Sequence, residues 1–306
     1  MSFTTERTRR LRSQPGARYT HPKALKAPAE NGAHDSALDA LAENAPNYLR
    51  WINEMIEPHL GRKVLELGAG IGVITESYAH GREVVANDLS DTCIAALRHR
   101  FEGSPNVTVV QHDLREVYDS GQRFDSVVML NVLEHIEDDV GVLSALPSVL
   151  RPGGRIVIYV PALNALYGKP DRILGHFRRY SKWRFREIAA EAGLQIVELR
   201  YVNALAIPAW WIYSHSNTDQ TYRPALSAWD RTGVPLSRAL EERIRFPLGL
   251  NLLAVFTAAE GQSDGSQLAL SPIWGMVARG VHWGRRLRNR DANAPDGPRV
   301  RGESLE

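Results

Sequence analysis

At 306 residues the chain has room for one large α/β domain or two small ones. Its 43% hydrophobic and 24% charged residues are those of an ordinary globular protein, and a net charge of +2 is too small to mark the whole chain as a nucleic-acid binder. The single cysteine, Cys93, excludes an intrachain disulfide and a zinc site built on several thiolates.

Residues 1–40 combine arginines with Ser, Pro, Ala and Gly and lack sustained periodicity, so they read as a mobile basic arm. No apolar h-region follows the arginines, and the longest apolar candidate, 205–213, is too short for a membrane span and contains Pro208. A cytoplasmic location is the expectation. From Pro46, the residues Tyr48, Leu49, Ile52, Met55 and Ile56 recur at helical spacing until Pro58 and Gly61 close the segment.

Short apolar runs then alternate with helical segments. Strands are predicted at 63–67, 83–87, 107–110, 126–130 and 155–160, mostly apolar at nearly every position, as strands covered on both faces should be. Helices are predicted at 92–101 and at 137–150, the latter around Pro147, and Arg151-Pro152-Gly153-Gly154 reads as a hard turn. A helix at 183–192 and a sixth strand at 195–201 follow. The pattern then breaks, with Pro208, Pro224, Pro235 and Pro247 as punctuation, before a last strand at 251–256. Strand and helix in alternation imply a parallel, doubly wound sheet, whose ligands sit beyond the carboxyl ends of the strands.

The first strand runs into Gly68-Ala69-Gly70-Ile71-Gly72, where glycines allow positive φ and close approach of a ligand, and a helix start offers free N–H groups to an anion. A dinucleotide fingerprint needs glycine at 73 or 75, but Val73 and Thr75 stand there, so both registers fail. Asp88 ends the second strand, where a carboxylate can accept from two ribose hydroxyls; Asp91 fills the alternative role of helix cap better. Asp113 ends the third strand, either facing an adenine amino group with Leu114 against the ring, or simply lying in a surface turn. Beyond the fourth strand, Asn131, Glu134 and His135 either lie on an active-site floor or start a helix.

Taken together, Val64-Leu65-Glu66-Leu67-Gly68-Ala69-Gly70-Ile71-Gly72, Asp88, Asp113-Leu114, Asn131-Val132-Leu133-Glu134-His135 and Leu150-Arg151-Pro152-Gly153-Gly154 resemble class I S-adenosylmethionine-dependent methyltransferases of the small-molecule branch. The resemblance runs from about Asn47 to Phe256. It implies a mostly parallel seven-stranded sheet with an antiparallel last strand, an N-terminal lid helix, and a helical insertion (203–248) before the last strand. The domain itself would span 41–259, followed by a basic tail at 260–306. It also implies S-adenosylmethionine as cofactor, with Glu66, Gly68, Ala69 and Gly70 near its methionine end. Asp88 and Leu89 would lie at the ribose, Asp113 and Leu114 at the adenine, Asn131 at the sulfonium, and Tyr48 would reach in from the lid.

The acceptor is not fixed by the resemblance. Tyr167, His176, Arg178, Arg179 and Tyr180 follow the fifth strand and suit an acidic or phenolic small molecule, with His176 or His135 taking a proton and an arginine pairing a carboxylate or phosphate. Equally, the arginines pin the loop to its own sheet. Trp210, beside Trp211, either walls an acceptor pocket or packs the insertion. No feature demands a metal, and no nucleic-acid partner is expected. The tail interleaves Trp274, Met276 and Trp283 with arginines, a pattern suited to weak contact with an anionic membrane surface. Two other readings are a nicotinamide-dependent oxidoreductase, disfavoured by the glycine register, and a binding protein without catalysis. The expected activity is methyl transfer to O or N of a small molecule in specialised, cofactor- or lipid-related metabolism.

Overall fold

Along the first strand, Leu65 and Leu67 point to one face of a sheet and Val64 to the other, the period-two pattern of a strand buried on both sides. A computed structural model describes residues 31–215 and 222–259. It contains β1 (Lys63–Leu67), β2 (Glu83–Asn87), β3 (Val107–Val110), β4 (Phe124–Leu130), β5 (Leu150–Pro161), β6 (Leu194–Val202) and β7 (Asn251–Ala258) in one sheet, ordered β3-β2-β1-β4-β5-β7-β6. β7 runs antiparallel to β5 and to β6, and the other neighbours are parallel. The expected doubly wound, mostly parallel seven-stranded sheet is therefore the observed one.

One face of the sheet is covered by α6 (Asp139–Ala145) and α8 (Lys182–Ala192), which bring Val142, Leu143, Phe185 and Ile188 against Val127, Ile156 and Phe256. The other is covered by α2 (Pro46–Ile56) and α3 (Val73–Ala79), which bring Trp51, Ile52, Ile56 and Tyr78 against Val84, Val128 and Val157. A smaller cluster under α4 (Asp91–Arg100) joins Ile94 and Leu97 to Ala86. The remaining helices are α1 (Asn31–Asn44), α5 (Leu114–Asp119), α7 (Lys169–Ile173), α9 (Ala206–His215) and α10 (Tyr222–Glu241). None of the helices among the described residues is long and apolar enough to cross a membrane.

Several local expectations change. The helix predicted through Pro147 ends at Ala145 and tightens into a 3-10 turn over Leu146–Val149, since proline lacks the N–H that an α-helix interior needs. The turn expected at Arg151–Gly154 is absorbed into β5, whose Leu150 already pairs with Phe124 across a register irregularity, with Gly153 at φ +76°. Ser90, not Asp91, caps α4 by accepting from the Cys93 N–H. Order begins earlier than the arm reading allowed, because α1 starts at Asn31, buries Ala40 and turns Leu38 and Leu41 toward the cavity described below. Residues 1–30 and the basic tail from 260 lie outside the described residues, as does any membrane contact made by that tail.

α2 has no cap of its own, since Ala45 stands at its N-cap. Asp230 of α10 supplies one. Its buried carboxylate accepts from the Asn47 and Tyr48 backbone N–H groups (3.1 and 2.8 Å) and from Asn47 Nδ2 (3.0 Å). Replacing Asp230 with Ala should therefore lower the unfolding free energy by about 2 kcal/mol or more, through a lost cap and stranded donors, measured by chemical denaturation. Asp230→Asn should recover part of the loss. A second site is the return from α10, where Gly249 lies so close to the Val202 backbone that a Cβ has no room. Gly249→Ala should destabilise by about 1–3 kcal/mol, and an unchanged denaturation midpoint would show that the return segment can shift aside freely.

Candidate active site

The glycine-rich turn is drawn across the ends of two strands. Gly68 and Ala69 donate their N–H groups to the Asn87 carbonyl at the end of β2 (2.8 and 2.9 Å), and Gly70 donates to Asp88 Oδ2 (2.8 Å). Asp88 Oδ1 accepts from Ser90 N (2.9 Å). Gly68 and Gly70 take φ of +72° and +57°, which L side chains rarely adopt, and a Cβ at Gly68 would collide with Val132. Behind the turn, Glu66 Oε2 accepts from Thr75 Oγ1 (2.5 Å) and the Tyr78 hydroxyl (2.6 Å). Burial pushes its carboxyl up to about 7 despite these two donors.

The turn forms one wall of a cavity of about 1030 Å³ beyond the carboxyl ends of β1, β2, β4 and β5. That is at the upper limit of ordinary ligand pockets, roughly 300–1,000 Å³, and gives room for two ligands side by side. Its roof comes from the helices: Leu38 and Leu41 of α1, Tyr48 and Ile52 of α2, Trp210 of α9, and Trp229 of α10. The Tyr48 hydroxyl lies 3.0 Å from the Tyr159 hydroxyl and donates to Asn251 Oδ1 at 3.3 Å.

Of the residues singled out from the sequence, Tyr48, Glu66, Gly68, Ala69, Gly70, Asp88, Leu89, Leu114, Asn131, His135, His176, Arg179 and Trp210 all line this one cavity. Asn131 does so at φ +52°, an uncommon conformation for a non-glycine residue, with its N–H on the Tyr159 carbonyl (2.7 Å).

Asp113, Tyr167, Arg178 and Tyr180 do not line it. Asp113 closes a capping box on α5, accepting from Glu116 N (2.8 Å) while Glu116 accepts from its own N–H, so its carboxylate serves the helix; His112 and Leu114 face the cavity instead. Tyr180 is fully buried, stacked on Phe185, with its hydroxyl donating to the Leu133 carbonyl (3.1 Å) and to Asp139 (3.2 Å). It fastens the loop rather than facing an acceptor. Tyr167 donates its hydroxyl to the His176 carbonyl (2.7 Å), which makes it a brace for that residue.

The arginines are spent within the protein. Arg178 Nη1 and Arg184 Nη2 both pair the buried Asp139 (2.8 and 2.6 Å). Arg179 Nε pairs Asp171 Oδ1 (2.8 Å), and its guanidinium lies 4.6 Å from the Trp210 ring centre. Neither is left to capture an acidic acceptor. Asp171, which the sequence reading missed, is wholly buried and also accepts from His176 Nδ1 (2.9 Å) and Gly168 N (2.8 Å). Burial alone would raise its carboxyl, but the His176 and Arg179 contacts hold it below the usual range. Its only sequence signal was an acidic residue at the third position of a Lys-Pro-Asp helix start.

Glu134 behaves oppositely. It lines the cavity, is fully buried, and no other residue donates a hydrogen bond to its side-chain oxygens. Burial pushes its carboxyl up to about 8; its own backbone N–H and Arg179 oppose the shift, and Asp171 reinforces it. Glu134, His135 and His176 offer one donor atom each within 4.8 Å of one another, and the two imidazoles meet edge to face at 4.7 Å. A carboxyl raised by folding contributes stability that is complete below its unfolded value and disappears as pH rises through the folded value. Unfolding free energy should thus fall by on the order of a few kcal/mol between about pH 5 and about pH 9. Glu134→Gln should flatten much of that fall in denaturation curves taken at both pH values, with Glu66 accounting for the rest; an unaltered slope would mean that Glu134 ionises in place at no cost.

A family model described as a methyltransferase domain matches residues 64–154. The chain is 32% identical over 125 residues to the ubiquinone biosynthesis O-methyltransferase of Azotobacter vinelandii, covering 40% of this chain and 53% of that protein. It is 34% identical over 100 residues to that of Alkalilimnicola ehrlichii, covering 32% and 40%. The matched stretch thus spans about half the length of these curated relatives or less. Among solved structures, a chain of the complex between the Haloferax volcanii Trm112 methyltransferase activator and a methyltransferase aligns with TM-score 0.54 at 17% identity, over 75% of this chain and 96% of that one. The Haemonchus contortus phosphoethanolamine N-methyltransferase 2, solved with S-adenosyl-L-methionine, aligns with TM-score 0.50 at 18% identity, over 74% and 57%. At these identities the structural likeness concerns the fold.

Proposed function

We propose that this chain, whose residues 64–154 are a methyltransferase domain on a class I fold, transfers a methyl group from S-adenosylmethionine to an oxygen or nitrogen of a neutral, largely apolar small molecule. One observation carries the reading: a single cavity runs from Gly68, Gly70 and Asp88 to Glu134, His135 and His176, so cofactor and acceptor groups share one space. When bound, the cofactor supplies a methyl carbon activated by a positively charged sulfur. The rest is the work of the chain.

The lining suits that cofactor. The Asp88 carboxylate accepts from the Gly70 and Ser90 N–H groups, which fix it at the cavity edge where it can accept from the hydroxyls of a ribose. The glycine turn leaves space at backbone level for the methionine end. Among the described lining residues, Asp88, Asp91 and Asp230 outnumber Arg179, which is already paired. A surplus of carboxylates favours a cationic cofactor and disfavours an anionic acceptor, in contrast to the acidic substrate that the arginine-rich loop suggested. The roof of Leu38, Leu41, Trp210 and Trp229 presents apolar surface to the acceptor. Rate enhancement then comes mainly from alignment of the acceptor with the methyl group.

Asp88→Ala should weaken S-adenosylmethionine binding by at least about tenfold in isothermal titration calorimetry, the loss of two charge-assisted hydrogen bonds. Equal affinity would remove Asp88 from the site. Incubation with methyl-labelled cofactor and fractionated cell extract should label a neutral organic-soluble product; cofactor binding with no labelled product from any fraction would instead mark a binding protein on this fold.

A further inference from the structure

We propose that Asp171 is a positioning residue that fixes His176 in a single tautomer, with the proton on Nδ1 and the bare Nε2 turned to the acceptor as its proton acceptor. The inference rests on the methyl-transfer reading only for what the proton comes from; the tautomer itself follows from the local structure.

His176 is held at four points. Its Nδ1 lies 2.9 Å from Asp171 Oδ1, its backbone N–H donates to the Asp171 carbonyl (2.8 Å), and its own carbonyl accepts the Tyr167 hydroxyl (2.7 Å). Its ring meets the His135 ring edge to face at 88°. A carboxylate can only accept, so the imidazole nitrogen facing it must carry the hydrogen. Nε2 is then the lone-pair nitrogen, on a ring that is nearly buried and lines the cavity.

The carboxylate is fixed in turn. Arg179 Nε shares Oδ1 with His176, and Gly168 N occupies Oδ2, so Asp171 cannot rotate away. The charged and titratable groups around the ring are therefore Asp171, Arg179, Glu134 and His135. Of these, Asp171 and Arg179 form an ion pair, and burial favours the neutral form of Glu134. In the proton step the O–H or N–H bond of the acceptor breaks, its electron pair stays on the acceptor heteroatom, and the proton bonds to Nε2. The imidazolium so formed faces the Asp171 carboxylate through Nδ1–H.

The test is the ring-nitrogen spectrum of the full-length protein labelled with 15N-histidine, recorded with and without S-adenosylmethionine and assigned by His176→Gln. The neutral His176 ring should show the Nδ1–H tautomer alone in the wild type, and Asp171→Asn should introduce the Nε2–H form. With the labelled acceptor fraction, Asp171→Asn should lower kcat by about 10²–10⁴-fold, leaving KM and cofactor affinity within about twofold. A wild-type Nε2–H tautomer overturns the proposal without any variant being needed. So does Asp171→Asn with both the wild-type tautomer and the wild-type kcat. If no acceptor is ever labelled, it is the methyl-transfer reading that falls, while the tautomer measurement still decides the role of Asp171.

Discussion

Helix α2 begins at Pro46 with nothing of its own to satisfy its first N–H groups, and the carboxylate that does so lies 182 residues away on α10. This contact ties the N-terminal helix to the insertion. The cavity depends on it, because the sheet supplies only a floor; the enclosure is made where α1, α2, α9 and α10 meet above the strand ends. A cap donated across the chain also couples helix formation to tertiary closure, since neither helix is fully satisfied until both are docked. The Asp230 carboxylate is thus a fastening of the roof as much as a stabiliser of one helix end.

The same device recurs on the opposite side of the site. Asp139 gathers Arg178, Arg184 and the Tyr180 hydroxyl, and Asp171 gathers His176, Arg179 and Gly168 N. Each buried acid is surrounded by donors from the segment after β5 and the start of α8, so the acid costs little to bury and ties that segment to the sheet. Glu134 stands apart, buried at the centre of this arrangement with neither oxygen bonded by another residue. A buried carboxyl facing a cavity with no other residue bonded to it is the expected signature of a site kept ready for a ligand rather than for stability.

The parts of the site that were legible in the sequence are those held by local backbone geometry. The glycine turn, Asp88 at a strand end and Asn131 beyond the central strand occupy positions where strand length and chain direction decide which way a residue faces. Asp113 reads the same way by position, yet its carboxylate turns inward to Glu116, because a capping box three residues on competes for it and wins. Tyr180 and the two arginines look like substrate ligands by composition. Whether such a side chain faces a cavity or a buried partner depends on acids at Asp139 and Asp171, which the sequence does not associate with them.

From the sequence alone came the seven strands, their alternation with helices, the strand ends that gather around one cavity, and the failure of the dinucleotide register, all consequences of period and spacing along the chain. Only the tertiary structure decided which long-range partner each polar side chain would take. That choice determined that Asp230 would cap α2, that Arg178 and Arg179 would be neutralised, that Asp171 would stand behind His176, and that Glu134 would be left alone. Hydrophobic periodicity is repeated many times along a strand or helix and is therefore readable. A buried carboxylate selects its donors once, among groups brought together only by folding, and leaves no periodic trace.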